Sequence, residues 1–214
     1  MGTKLLITTE GRSGSTFLGQ LMNLHSNVFY LYEPCRSLPP FKTMKQGDKI
    51  TYSMMTTCTK LVRALFDCAF TATEMSTLLG DKVAVSKSRV LRHLVANASL
   101  GWGSKASSDA LMMARHTALL EHCRKSIKVV KEIRFTRGVP DNLLYSEIKV
   151  LHLVRDPRAV LHSRLQLEAF CGNTPRACVQ PLCQGYRATL RSITSYLSTL
   201  EGRPFWQFCA LLGI

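Results

Sequence analysis

The stretch Glu10-Gly11-Arg12-Ser13-Gly14-Ser15-Thr16-Phe17 puts two glycines, three hydroxyl side chains and one cation into eight residues. Small residues let backbone N–H groups close around an anion, and a helix beginning at Ser15 adds the partial positive charge of its N-terminus. The chemistry this offers is phosphate binding. The spacing departs from the Gly-x-x-x-x-Gly-Lys-Ser/Thr loop of an NTPase. Gly14 is followed by Ser15-Thr16, no lysine is available to reach a β- or γ-phosphate, and Arg12 stands before the glycine instead. Taken alone, the stretch also fits an ordinary Gly/Ser turn capping a helix.

A second group of residues follows the apolar run Val150-Leu151-His152-Leu153-Val154. Arg155-Asp156-Pro157-Arg158 comes next, and Pro157 suits the first position of a helix. Arg155 then falls at the C-terminal end of a strand, where open α/β sheets bind ligands, and Ser163 lies about two helical turns further on. Arg155 and Ser163 together can grip a second phosphate through charge-assisted hydrogen bonds. A purely structural Arg-Asp helix cap is the alternative.

These residues need a frame. Lys4–Thr9 is a short apolar, β-branched run that predicts a buried strand ending at Glu10-Gly11. From Ser15, the residues Phe17, Leu18, Leu21, Met22 and His25 recur at helical spacing. Val28–Tyr32 predicts a second strand, stopped by Glu33-Pro34. Met54, Cys58, Leu61, Val62, Leu65, Phe66 and Ala69 form the stripe of an amphipathic helix over 54–70. Further strands are expected at Val83–Val85, Ile127–Val130 and Ile148–Val154, with helices at about 109–124 and 157–168. Near-continuous apolar strands alternating with helices predict an α/β fold with a central parallel sheet covered on both faces.

With 214 residues, the chain can bury one core and is expected to form a single domain. Its 28 Lys and Arg against 14 acidic residues give a formal charge of +14, so the surface attracts anions. The basic residues are scattered and form no Lys/Arg block, which favours a built anion site over a nucleic-acid tail. Eight cysteines, Cys35, Cys58, Cys68, Cys123, Cys171, Cys178, Cys183 and Cys209, suit an oxidising compartment. Cys178 and Cys183 lack the neighbours a zinc site needs, so structural or disulfide roles are expected and no metal. Asn97-Ala98-Ser99 is a glycosylation sequon. No segment reaches the roughly 18 apolar residues of a membrane span, and no signal or anchor is legible.

Four blocks in this order, Arg12 to Leu21, Phe29 to Pro34, Lys131 to Arg134 and Val150 to Val160, resemble the Gal/GalNAc/GlcNAc 6-O-sulfotransferases. The resemblance covers about residues 4–168 and leaves 169–214 divergent or cut short. It implies a three-layer P-loop-like fold and a sulfuryl transfer from 3'-phosphoadenosine-5'-phosphosulfate (PAPS) to a sugar 6-hydroxyl. It further implies that Arg12, Ser13, Gly14, Ser15, Thr16 and Phe17 hold the 5'-phosphosulfate, and that Arg155 and Ser163 hold the 3'-phosphate. Glu33 resembles the family's candidate general base, with a salt bridge or helix cap as its plainer role. Arg12 is the cation nearest the leaving phosphate, and Lys131 is placed either on the phosphosulfate or acceptor or in solvent. His25 and His152 are expected in the core or behind the reacting groups. The implied partner is a glycan or glycosaminoglycan acceptor, with no nucleic acid and no metal, in the Golgi and held at the membrane only through an anchor that this sequence does not contain. Oligomeric state is left open. A P-loop kinase is disfavoured by the missing Gly-Lys-Ser/Thr, and a fragment that binds nucleotide without turnover remains the alternative.

Overall fold

The computed structural model describes residues 2–44, 49–100, 108–135, 139–144, 146–167, 175–198 and 210–212. Alternation at the sheet explains the architecture. β1 (Lys4–Thr9), β2 (Val28–Tyr32), β3 (Ile127–Glu132), β4 (Lys149–Arg155) and a short β5 (Ala210–Leu212) form one sheet in the order β2-β3-β1-β4-β5. Every pairing is parallel. Leu6, Phe29, Leu31, Val130 and Val150 turn to one face, while Ile7, Val28, Tyr30 and Val129 turn to the other. Successive side chains of a strand point oppositely, so each strand supplies two cores. The sheet therefore needs a helical layer on each side.

The layers are unequal. The smaller core is closed by α1 (Ser15–Leu24) through Leu18 and Met22. The larger takes Leu61, Val62, Leu65 and Phe66 of α3 (Tyr52–Phe66), Met75 and Leu78 of α4 (Ala72–Leu79), Leu91 of α6 (Arg89–Leu100), and Leu119 and Cys123 of α7 (Ser108–Lys125). Two disulfides, Cys35–Cys58 and Cys68–Cys123, lie on this side and close loops of 23 and 55 residues. Loops of that size correspond to roughly 3–4 kcal/mol each in the chain-entropy account. Cys178 is disulfide-bonded as well, and Cys183 is exposed and unpaired among the described residues.

Two expectations need correction. Val83–Val85 is not a strand but part of α5 (Lys82–Lys87). The Asp81 carboxylate accepts hydrogen bonds from Val83 N at 2.9 Å and Ala84 N at 3.2 Å, and this N-cap decides for a helix over a three-residue apolar run. The helix expected to run to residue 70 ends at Phe66, where Asp67 caps it and Cys68 turns left-handed with φ 50°. Shorter helices α2 (Pro39–Lys42) and α8 (Asp141–Leu144), together with α9 (Pro157–Leu165) and the long C-terminal α10 (Pro175–Ser198), complete the described elements. Residue 168, Cys171 and Phe205–Cys209 lie outside the described residues, whereas Ala210–Leu212 pairs with β4. No helix among the described residues is long and apolar enough to cross a membrane.

Candidate functional site

Parallel strands deliver their C-terminal ends to one edge of the sheet. The loop after β1, the turn after β2, the end of β3 and the β4–α9 junction therefore meet there. The first loop is shaped by two left-handed residues, Arg12 (φ 75°) and Gly14 (φ 88°). For Gly14 that conformation is inexpensive, whereas for Arg12 it costs on the order of 1–2 kcal/mol. Arg12 is held by contacts from β4 and α9. Its carbonyl accepts from Arg155 Nη1 at 3.2 Å, and its Nε donates to Ser163 Oγ at 3.0 Å. Residues 151 positions apart in sequence are thus directly bonded.

The N-terminus of α1 opens on this loop with Gly14 as N-cap and without a side-chain cap. Its first backbone N–H groups are in the position that suits an anion. The three hydroxyls divide their work. Ser13 is fully buried and its Oγ hydrogen-bonds Thr9 Oγ1, which in turn donates to the Leu153 carbonyl at 2.7 Å. Ser13 thereby ties the loop to β1, and Thr9 carries the tie on to β4. Ser15 is buried, Thr16 is half-buried and Phe17 is exposed. At the next junction Asp156 caps α9 by accepting from Arg158 N at 2.8 Å, and hydrogen bonds from Arg158 hold its carboxyl down to about 2. Asp156 thereby takes Arg158 as its partner. Arg155 Nε is buried and has no hydrogen-bond partner among the described residues.

The other half of the edge is a closed ion network. Glu33 follows β2 in a left-handed conformation (φ 43°) and donates its backbone N–H to the Lys131 carbonyl at 2.7 Å. Its two carboxylate oxygens pair with Lys131 Nζ and with Arg134 Nη1, the latter at 3.0 Å. Arg134 Nη1 also bonds Glu132 Oε1 at 2.9 Å. Burial alone would raise the Glu33 carboxyl, but Lys131 and Arg134 outweigh it and hold it below the ordinary carboxylate range. Lys131 is only 2% exposed, so the solvent alternative for it is excluded, and its ammonium stacks 4.5 Å above the Tyr32 ring. Cys35, Cys58 and Glu132 also gather within 4.8 Å, but the two sulfurs are joined as a disulfide. No thiolate is left there to bind a metal.

His152 is buried between β4 and β1 with its Nδ1 on Thr8 Oγ1 at 2.7 Å, and burial pushes its imidazole down to about 4. His25 caps α1 and accepts from Asn27 N at 3.1 Å. Neither is at the reacting edge. Arg134 and Glu132, which complete the network, appear in the sequence only inside a resembling block. Arg164 and Tyr186, which support the loop, give no sequence signal, because their partners are long-range backbone atoms.

A parallel α/β sheet with a Gly/Ser-rich loop after its first strand and an arginine at the end of β4 has the architecture of a P-loop-like α/β fold. The sulfotransferase domain family matches residues 2–196, and the chain belongs to that family. Human carbohydrate sulfotransferase 6 is 36% identical over 176 residues, covering 76% of this chain and 43% of that protein. Mouse carbohydrate sulfotransferases 7 and 1 are 32% and 30% identical, over 72% and 76% of this chain and 37% and 44% of theirs. The chain therefore spans less than half the length of these curated relatives. Among solved structures, the sulfotransferase domain from the curacin biosynthetic pathway aligns with TM-score 0.47 and 17% identity over 98% of this chain and 67% of that one.

Proposed function

We propose that residues 1–214 act as one carbohydrate sulfotransferase domain that uses PAPS and sulfates the 6-hydroxyl of a Gal, GalNAc or GlcNAc residue in a glycan or glycosaminoglycan. The observation that carries this reading is the two-armed anion site, in which the loop at Arg12–Thr16 is bonded to Arg155 and Ser163 while Arg155 Nε stays buried and without a partner among the described residues. An unmet guanidinium N–H in a buried position is costly, and a phosphate oxygen relieves it once the Arg155 side chain turns toward the ligand. The residues therefore fit the nucleotide. In the proposed binding mode, the backbone N–H groups of Gly14 to Thr16 and the Arg12 cation hold the 5'-phosphosulfate, with Phe17 beside them. Arg155 and Ser163 hold the 3'-phosphate.

When bound, PAPS supplies a sulfuryl group whose transfer to a sugar oxygen leaves 3'-phosphoadenosine-5'-phosphate (PAP). The protein's part is positioning and charge stabilisation, as in phosphoryl transfer. Arg12 offsets negative charge on the leaving phosphate. Glu33 is the proposed base for the hydroxyl proton, and Lys131 balances charge beside it. Glu33 is 4% exposed and each of its oxygens already accepts one hydrogen bond, so the acceptor hydroxyl must open this buried network to reach a remaining lone pair before the proton can move. This closed state favours a second reading, a fragment that binds the nucleotide without turnover. The disulfides and the resemblance to Golgi enzymes support a lumenal setting. We assign no metal and no nucleic acid to the reaction.

Calorimetric titration with PAP tests the site, with ATP as the specificity control. The wild-type chain is expected to bind PAP in the micromolar range and to ignore ATP. Arg155→Ala is expected to weaken binding by roughly 10- to 100-fold, the contribution of a charge-assisted contact. A folded wild-type chain that does not bind PAP overturns the reading.

A further inference from the structure

Beneath the anion loop lies a second set of charged contacts that the proposed chemistry does not use. Glu10 immediately precedes Gly11-Arg12 and is 7% exposed. Arg164, one residue past Ser163 on α9, is 8% exposed and donates Nη2 to Glu10 Oε2 at 3.1 Å. The same guanidinium donates Nε and Nη2 to the Gly11 carbonyl at 3.2 and 3.1 Å. α10 closes the set from below. Gly185 passes so near Glu10 that a Cβ there would run into Oε1. One residue on, the Tyr186 hydroxyl donates to the Arg155 carbonyl at 2.8 Å.

Two physical consequences follow. A buried carboxylate two residues from Arg12 repels an anionic ligand unless a cation cancels it, and Arg164 is that cation. A planar fork that binds carboxylate and carbonyl together also fixes the loop to the helix carrying Ser163, which a point-charge lysine does less well. We infer that Arg164 is a positioning residue for the nucleotide site: with Glu10, and with Gly185 and Tyr186 of α10, it locks the anion loop and the Arg155–Ser163 arm into one unit and neutralises the carboxylate beneath them. This inference rests on the proposed PAP and PAPS site. It makes α10, outside the stretch of family resemblance legible in the sequence, part of that site's foundation.

The test is PAP titration of the full chain as wild type, Arg164→Met, Glu10→Gln and the double variant, each with a thermal melt. Arg164→Met is expected to lose about 30-fold or more in affinity, because it leaves Glu10 buried and unpaired beside the ligand. Glu10→Gln is expected to bind as well as wild type or better. The double variant is expected to recover most of that loss and to bind about threefold to tenfold more weakly than Glu10→Gln, the charge cancelled and only the fork on the Gly11 carbonyl missing. A merely structural Arg164 would leave the double variant as weak as Arg164→Met, and that result overturns the inference. Should Arg164→Met not fold, Arg164→Lys replaces it, with an expected loss of about threefold to tenfold from the missing fork; wild-type affinity in that variant overturns the inference. A wild-type chain that does not bind PAP defeats the underlying site, whereas tight wild-type binding with an unaffected Arg164→Met defeats only this inference.

Discussion

The two halves of the strand-end edge use charge in opposite ways. Around Arg12 and Arg155, cations bond to a carbonyl and a hydroxyl, and a guanidinium N–H is left over. Around Glu33, two carboxylates meet Lys131 and Arg134 in a buried, closed network. In the proposed function the first half receives an anion from outside. The second is already neutralised within the protein, so its charges hold geometry. Charge at one half should therefore be measured as affinity, and at the other as stability and turnover.

Variants can break this division. The largest effect is expected for Glu33→Gln, which should lower sulfuryl transfer to a sugar acceptor by roughly 10²–10⁴-fold, the contribution of a general base. PAP affinity should stay within about threefold of wild type, so calorimetry beside a turnover assay checks both sides. Unchanged turnover would remove Glu33 from the chemistry. Next is Lys131→Met, expected to destabilise the fold by about 3 kcal/mol in urea unfolding, because it removes one partner of a buried ion pair.

Acid separates the halves by pH window. His152, beneath the anion loop, titrates at about 4 in the folded chain and at 6.5 when unfolded. The unfolded chain binds the extra proton between those values, so stability is complete above 6.5 and falls toward pH 4 by roughly 3 kcal/mol. His152→Asn should flatten that fall. Glu33, whose folded value lies below 4.5, supplies stability that is present above 4.5 and lost only at lower pH. Unfolding curves at successive pH values distinguish the two windows. The smallest change in fold is expected for Arg12→Ala, which should weaken PAP binding about 10-fold while shifting stability by less than about 0.5 kcal/mol. A large stability loss there would mean that the exposed arm is scaffold as well.

Much of this site was legible before any coordinates. The loop at 10–16 carries its glycines and hydroxyls contiguously, and Arg155-Asp156-Pro157 carries its own helix start, so both signals are local. β1 to β4 were visible as apolar, β-branched runs because both faces of the sheet are covered. Val83–Val85 misled because a run of three apolar residues cannot outweigh an aspartate positioned to cap a helix. The support of the site was illegible for a different reason. Arg164 to Gly11 and Tyr186 to Arg155 join side chains to distant carbonyls, and nothing in the neighbouring sequence marks which donor reaches them.

By itself, then, the sequence determined the parallel α/β class, the Gly/Ser-rich loop after β1 and the arginine at the end of β4, since each follows from periodicity, turn chemistry and spacing within about ten residues. Only the tertiary structure decided that Cys35 pairs with Cys58 and Cys68 with Cys123, that Glu33 is closed in by Lys131 and Arg134, and that α10 underlies the loop. Those outcomes depend on which faces meet when strands distant in sequence align, and pairing across such distances leaves no local pattern to read.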